Sequence, residues 1–169
     1  RVMGPIKEEI GALFAVVNRS KRSLAMDLKK EESKEIIFKL VESADVIIDN
    51  FRPATLERLG LEYDVLKKHN PKIIQMSITG YGETGPYSKR RVYDPLIQAT
   101  AGVSDAQSLE GQPKYMKTLM CDKVTSLTAA QAMTAALYKR EKTNEGQRIT
   151  LSMLDLSLRH MSEPTRLRR

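Results

Sequence analysis

The chain has 169 residues, 41% hydrophobic and 29% charged, enough for one domain around a single core and too few for a multi-domain assembly. No uncharged apolar run approaches the roughly 18 residues of a membrane span, the first residues lack the apolar stretch of a secretory signal, and the lone Cys121 cannot form an internal disulfide, so a cytoplasmic protein with no membrane partner is expected. The 28 Lys and Arg against 21 Asp and Glu give a net charge of +7, which favours anionic partners; with no Trp and no RNA-binding or helix-turn-helix pattern, nucleic acid is not expected and a phosphate-bearing small molecule fits better.

In chain order, residues 23–27 (SLAMD) form a short half-apolar run that reads as a strand. Residues 34–44 follow with Ile36, Ile37, Leu40 and Val41 at helical spacing. Residues 45–49 (DVIID) are a compact β-branched run of the kind buried in a parallel sheet, and Pro53 at the first helical position opens a short helix stopped by Gly60. Residues 63–69 read as another helix, Asn70-Pro71 breaks it, and residues 72–78 (KIIQMSI) supply a third strand. The glycine-bearing loop 79–91 must run over a surface and leads into a helix over 94–101.

The longest predicted helix takes Asp122 as its N-cap and runs to Lys142, with Lys139, Arg140 and Lys142 set against its C-terminal dipole. Asn144 and Gly146 end it, residues 147–153 give a fourth strand, and residues 154–161 start a last helix. The β-α-β-α-β order predicts an α/β domain with a parallel sheet over residues 1–160 and a disordered basic tail over 161–169.

Chemistry is sparse by local pattern. His69 and His160 are far apart and one Cys is too few for a zinc cluster, so no metal site is expected. There is no nucleophile elbow, P-loop or dinucleotide-binding glycine motif; Gly80, Gly82 and Gly85 follow another spacing and read equally as a surface turn. Asp122 stands between an apolar stretch and a helix N-terminus, where a carboxylate can be partly desolvated and still held ionised. It reads either as a nucleophile or as a plain N-cap.

Motifs taken together say more. NRSKRSLAMDLK (18–29), DNFRPATLERLGLEY (49–63), ITGYGETGPY (78–87), VYDPLIQATAG (92–102) and CDKVTSLTAAQAMTAAL (121–137) resemble the family III CoA-transferases, the formyl-CoA and carnitine-CoA transferase group, over residues 11–158. The resemblance implies a Rossmann-like parallel sheet flanked by helices, corresponding to part of the large domain. Family members are considerably longer: the strand and glycine-containing turn that usually precede NRxKRS, the second domain and the glycine-rich closing loop have no counterpart here. Sheet edge and apolar surface left uncovered in this way predict a homo-oligomer.

By the same resemblance Asp122 falls at the family's catalytic aspartate, which attacks an acyl-CoA thioester, becomes an aspartyl-CoA thioester through a mixed anhydride, and passes CoA to an acceptor carboxylic acid. Coenzyme A or acyl-CoA is then substrate, and no covalently bound cofactor is implied. Asn50, Phe51 and Arg52 match the turn that contacts CoA, with Arg58 in reach of a phosphate; a plain strand-to-helix turn is the alternative. The family usually has glycine where Ala54 stands. Arg19, Lys21 and Arg22 match basic residues near the nucleotide end of CoA, or form a solvated charge run. Arg91 and Tyr93 match positions lining the CoA channel, and Asp94 an acidic residue near the nucleophile, unless it merely caps its own helix.

Two other readings stand beside the transferase. The fold also hosts α-methylacyl-CoA racemases, which carry a His where this chain has Tyr93, a poor base at neutral pH. A truncated, non-catalytic remnant that retains CoA binding is the other.

Overall fold

The computed structural model describes residues 4–162. An antiparallel hairpin of β1 (Ile6–Lys7) and β2 (Ile10–Gly11) comes first, with Ile6 opposite Gly11. Its two turn residues, Glu8 and Glu9, both have positive φ, at 52° and 64°, the backbone of a tight two-residue hairpin turn built without glycine or asparagine. Helix α1 (Ala12–Val17) follows and ends where Asn18 turns its side-chain amide back to Phe14 O at 3.0 Å.

Residues 21–27 form neither helix nor strand, which corrects the strand expected over 23–27. Only Leu24, Ala25 and Met26 are apolar there, Leu24 stands exposed, and with no ladder to a neighbour an isolated extended segment gains no strand hydrogen bonds.

The main body then alternates regularly: α2 (Glu31–Ser43), β3 (Val46–Asp49), α3 (Thr55–Leu59), α4 (Tyr63–His69) and β4 (Ile74–Thr79), then α5 (Asp94–Thr100), α6 (Val103–Ala106), α7 (Met120–Thr143), β5 (Gln147–Ser152) and α8 (Met153–Ser162). The strands form one parallel sheet in the order β3-β4-β5, with Ile74 registered on both Val46 and Gln147. This is the expected parallel α/β arrangement, on three strands rather than four. Met161 and Ser162 still belong to α8, and the remainder of the expected tail, 163–169, lies outside the described residues.

Central β4 is buried along nearly its whole length, as a strand covered on both faces must be. One core cluster joins Val41, Leu61, Leu66 and Ile73; the other joins Ile97, Cys121 and Met153, with Val92 and Leu154 against it. Asn70 ties the first together by donating to Val41 O at 2.9 Å and Ala44 O at 3.0 Å, which satisfies carbonyls at the end of α2.

Arg140 stitches the far end of α7 to the sheet. Its guanidinium meets the Asp45 carboxylate at 2.8 Å and reaches the Asp45 and Lys72 carbonyls at 3.4 and 3.5 Å. Asn144 then turns the chain in the left-handed region at φ 59°, and Gly146 enters β5 by donating to Pro71 O at 3.0 Å. A Cβ at Gly146 would stand 2.1 Å from Ile73 O, so only glycine lets β5 begin this close to β4. Gly146→Ala is therefore expected to cost at least about 1–3 kcal/mol, the range for an overpacked core. The check is a lowered urea midpoint at unchanged slope; an unchanged midpoint would contradict the close approach.

Candidate active site

The site forms at the carboxyl ends of β3 and β4, where open α/β sheets present ligand-binding loops. Asp49, the last residue of β3, accepts from Ser77 Oγ at 2.6 Å and from the Phe51 amide at 3.3 Å, and Asn50 Nδ2 donates to Ile78 O at 2.7 Å. The 50–53 turn is thus fastened to β4 by side chains rather than by a ladder. Helix α3 starts at Thr55, with Ala54 as N-cap in the left-handed region at φ 62°; Pro53 is outside the helix rather than its first residue. That backbone conformation costs an L-residue such as Ala54 about 1–2 kcal/mol. Arg58 spends its guanidinium on Ala54 O at 3.3 Å and Thr55 Oγ1 at 3.2 Å, on its own turn.

Loop 80–93 folds back onto this turn. Gly80 lies so close to Val92 that a Cβ would be 2.2 Å from Val92 Cγ1. Tyr81 meets Tyr87 edge-on at 5.8 Å, and the Arg90 guanidinium lies 4.1 Å over the Tyr87 ring. Between turn and loop opens a cavity of about 180 Å³ lined by Asn50, Phe51 and Arg52 on one side and Arg90, Arg91 and Tyr93 on the other. Phe51 is 40% exposed and Tyr93 70%, so both rings are available to pack on a ligand. A second cavity of about 440 Å³ shares Phe51 and Arg52 and extends over the polar side chains of β4, Gln75, Ser77 and Thr79, toward the ion pair of Arg148 with Glu83.

Asp94, 3% exposed, opens α5 but does not cap it; the N-cap is Tyr93. Its Oδ2 instead accepts the backbone N–H of Asp122 at 2.9 Å, so it caps the first turn of α7 from another helix. Asp122 is consequently not the N-cap expected from the sequence. It is the third residue of α7, half-buried, and its carboxyl is pushed above the usual carboxylate range, first by burial and then by the Asp94 charge. Burial likewise pushes the neighbouring Cys121 thiol up, which keeps it protonated and out of competition as a nucleophile.

Of the residues singled out from the sequence, Asn50, Phe51, Arg52, Arg91 and Tyr93 therefore line one cavity. Asp122 does not line it; it stands one hydrogen bond from Asp94, the residue after Tyr93. Arg19 and Arg22 are exposed in the segment ahead of α2 and line neither cavity. Gln98 was not legible as a site residue. Its one sequence signal is its place four residues after Asp94 on a helix, a spacing at which side chains meet.

The family model for CoA-transferase family III matches residues 1–166. An acyl-CoA transferase of Fusarium pseudograminearum is 41% identical over 156 residues, 92% of this chain and 33% of its own length. The acetyl-CoA:oxalate CoA-transferase of Acetobacter aceti is 36% identical over 94% of this chain and 41% of its own length. Among solved structures, a CAIB/BAIF family protein from Brucella suis superimposes with a TM-score of 0.90 at 35% identity, covering 98% of this chain and 46% of that one. The chain thus spans less than half the length of these relatives.

The raised carboxyl of Asp122 has a measurable consequence. A folded state that binds this proton more tightly than the unfolded chain is helped by Asp122 below the ordinary carboxylate pKa of about 4, and loses that help as pH rises through the raised value. Asp122→Asn does not titrate, so its stability relative to wild type is expected to increase between about pH 3 and pH 7. Urea midpoints of both proteins across that window decide it; a difference that does not vary with pH would contradict the shift.

Proposed function

Starting from a chain that belongs to CoA-transferase family III, we propose that it carries the CoA-binding and nucleophile-bearing part of an acyl-CoA:carboxylate CoA-transferase. The observation that carries this reading is the convergence of the 50–52 turn and residues 90–93 on one cavity, with Tyr93 followed at once by the Asp94 that holds Asp122. Arg52, Arg90 and Arg91 offer charge-assisted bonds to the phosphates of CoA, and Phe51 and Tyr93 offer ring faces to its apolar arm.

In the proposed cycle an Asp122 oxygen attacks the thioester carbonyl, the C–S bond breaks, and CoA leaves as thiolate from a mixed anhydride. The thiolate then attacks the Asp122 acyl carbon and expels the donor's carboxylate, which gives an aspartyl-CoA thioester. The acceptor carboxylate displaces thiolate to form a second anhydride, and thiolate attacks the acceptor's acyl carbon to release the new acyl-CoA and regenerate Asp122. No net proton is gained or lost, so an ionised carboxylate suffices and no separate general base is required. The raised carboxyl of Asp122 favours the reaction in one respect: a carboxylate stripped of water is a stronger nucleophile than a solvated one.

A second reading, CoA binding without turnover, is favoured by a cavity that residues 50–52 and 90–93 line and Asp122 does not. Self-association belongs to either reading. Ile6, Ile10, Val16 and Val17 stand exposed on the hairpin and α1, Val16 at 75%, and two chains can bury them against each other. Light scattering is expected to give a mass above 19.1 kDa; a monomer at high concentration would contradict association.

Incubation with an acyl-CoA followed by peptide mass spectrometry is expected to find the adduct on the Asp122 peptide and none in Asp122→Asn, which still binds CoA. An adduct elsewhere would refute the nucleophile, and binding without any adduct would favour the second reading. Calorimetric titration of CoA is expected to show affinity falling with added salt, since screening tightens from about 10 Å at 0.1 M to about 3 Å at 1 M, and the dependence should weaken in Arg52→Ala and Arg91→Ala. Salt-independent binding would remove the phosphate role of these arginines.

A further inference from the structure

We propose that Gln98 is a positioning residue for Asp122: it fixes the Asp94 carboxylate so that this carboxylate holds the first turn of α7, on which Asp122 stands. The inference rests on the reading of Asp122 as nucleophile and adds the device that aims it.

Gln98 is 1% exposed and uses both of its amide donors and its carbonyl oxygen. Its Nε2 donates to Asp94 Oδ1 and, at 3.1 Å, to Thr118 O, while its Oε1 accepts the Met116 amide at 2.9 Å. The same side chain therefore holds the carboxylate on α5 and both ends of the 116–118 segment that leads into α7. Asp94 has one oxygen on Gln98 and the other on the Asp122 N–H, so neither is free to rotate. An amide is suited to the task because it donates to a carboxylate and a carbonyl while accepting from a backbone N–H, which neither a carboxylate nor a hydroxyl can do at once. Partly satisfied, such a buried network would be worse than an apolar core; satisfied throughout, it specifies one geometry.

Of the charged groups around Asp122, Asp94 on α5 is the one that acts on its carboxyl. Lys123 on α7 directs its ammonium to Thr118 Oγ1 at 2.6 Å, and Asp155 on α8 is exposed. Freeing Asp94 thus changes both the backbone and the field at Asp122.

The test uses Gln98→Met, which keeps the bulk and removes the hydrogen bonds, and Asp94→Asn, which keeps the shape and removes the charge. By amide hydrogen exchange, Asp122 N–H is expected to exchange about tenfold or more faster in Gln98→Met, because a charge-assisted bond is lost, with the change confined to residues near 116–123. In Asp94→Asn the one remaining oxygen can still accept the Asp122 N–H while the new NH2 faces Gln98, and the Asp122 carboxyl midpoint, followed by carbon NMR, falls. In Gln98→Met that midpoint also falls, and the acid limb of adduct formation with an acyl-CoA moves to lower pH. Unchanged exchange and midpoint in Gln98→Met would overturn the proposal, as would accelerated exchange spread evenly over the chain, which marks a merely structural role. Should Gln98→Met fail to fold, Gln98→Asn takes its place, because an amide one methylene shorter cannot span Asp94, Thr118 O and the Met116 amide together: unchanged exchange and midpoint there overturn the proposal. Absence of an adduct on wild-type Asp122 would remove the nucleophile reading, and the exchange and midpoint readings would still decide whether Gln98 positions that residue.

Discussion

The hydrogen bond from the Asp122 backbone to the Asp94 carboxylate, 2.9 Å long across 28 residues, is the constraint around which the second half of the molecule is arranged. Helix α7 begins with backbone N–H groups that have no partner within the helix, and a buried helix end without partners is costly. No side chain of its own N-cap, Leu119, supplies one. The acceptor comes from α5, and so α5 must sit against the start of α7. Once it does, Ile97 on α5 and Cys121 on α7 close a core cluster with Met153 at the head of α8, and the Leu154 amide bonds to Gly80 O at 3.0 Å. Packing, cap and site geometry at this corner are one solution rather than three.

A second consequence runs through the sheet. Polar residues alternate along β4 at Gln75, Ser77 and Thr79 although the strand is buried, and that stripe is where the 50–53 turn is anchored: Ser77 on Asp49, and the Ile78 carbonyl on Asn50. The apolar positions between them serve the core. The period of two that makes a strand two-faced thereby lets one strand fill an interior and carry a binding turn at once. With the turn fixed to β4, and loop 80–93 pressed on the same strand end by the Gly80 and Val92 contact, Arg52 and Arg91 line one cavity. The geometry explains why that arrangement holds together.

The strands over DVIID, KIIQMSI and QRITLSM were legible because β-branched runs bounded by breakers leave little alternative, and their parallel order followed from the helices between them. The segment at 23–27 has three apolar residues, Leu24, Ala25 and Met26, but no β-branched one, and a strand exists only with a partner, which is not written locally. The hairpin at Ile6–Gly11 was illegible for the opposite reason: its turn is formed by Glu8 and Glu9, which carry none of the usual turn signal. Asp122 stands out in the sequence as a candidate, but its neighbourhood does not. An acidic residue near a helix start reads as that helix's cap, whereas the cap is Asp94, held by Gln98 from four residues along another helix. Local rules find groups that need partners; only the fold says which partner arrives.

In the proposed complex CoA binds between the 50–52 turn and residues 90–93 with its sulfur delivered to Asp122. A crystal structure of the chain with CoA measures this directly. The expected result is phosphates against Arg52 and Arg91 and the thiol within about 3–4 Å of an Asp122 carboxylate oxygen, close to attack distance. CoA bound elsewhere on the surface, or bound in this cavity with its thiol directed away from α7, would contradict it.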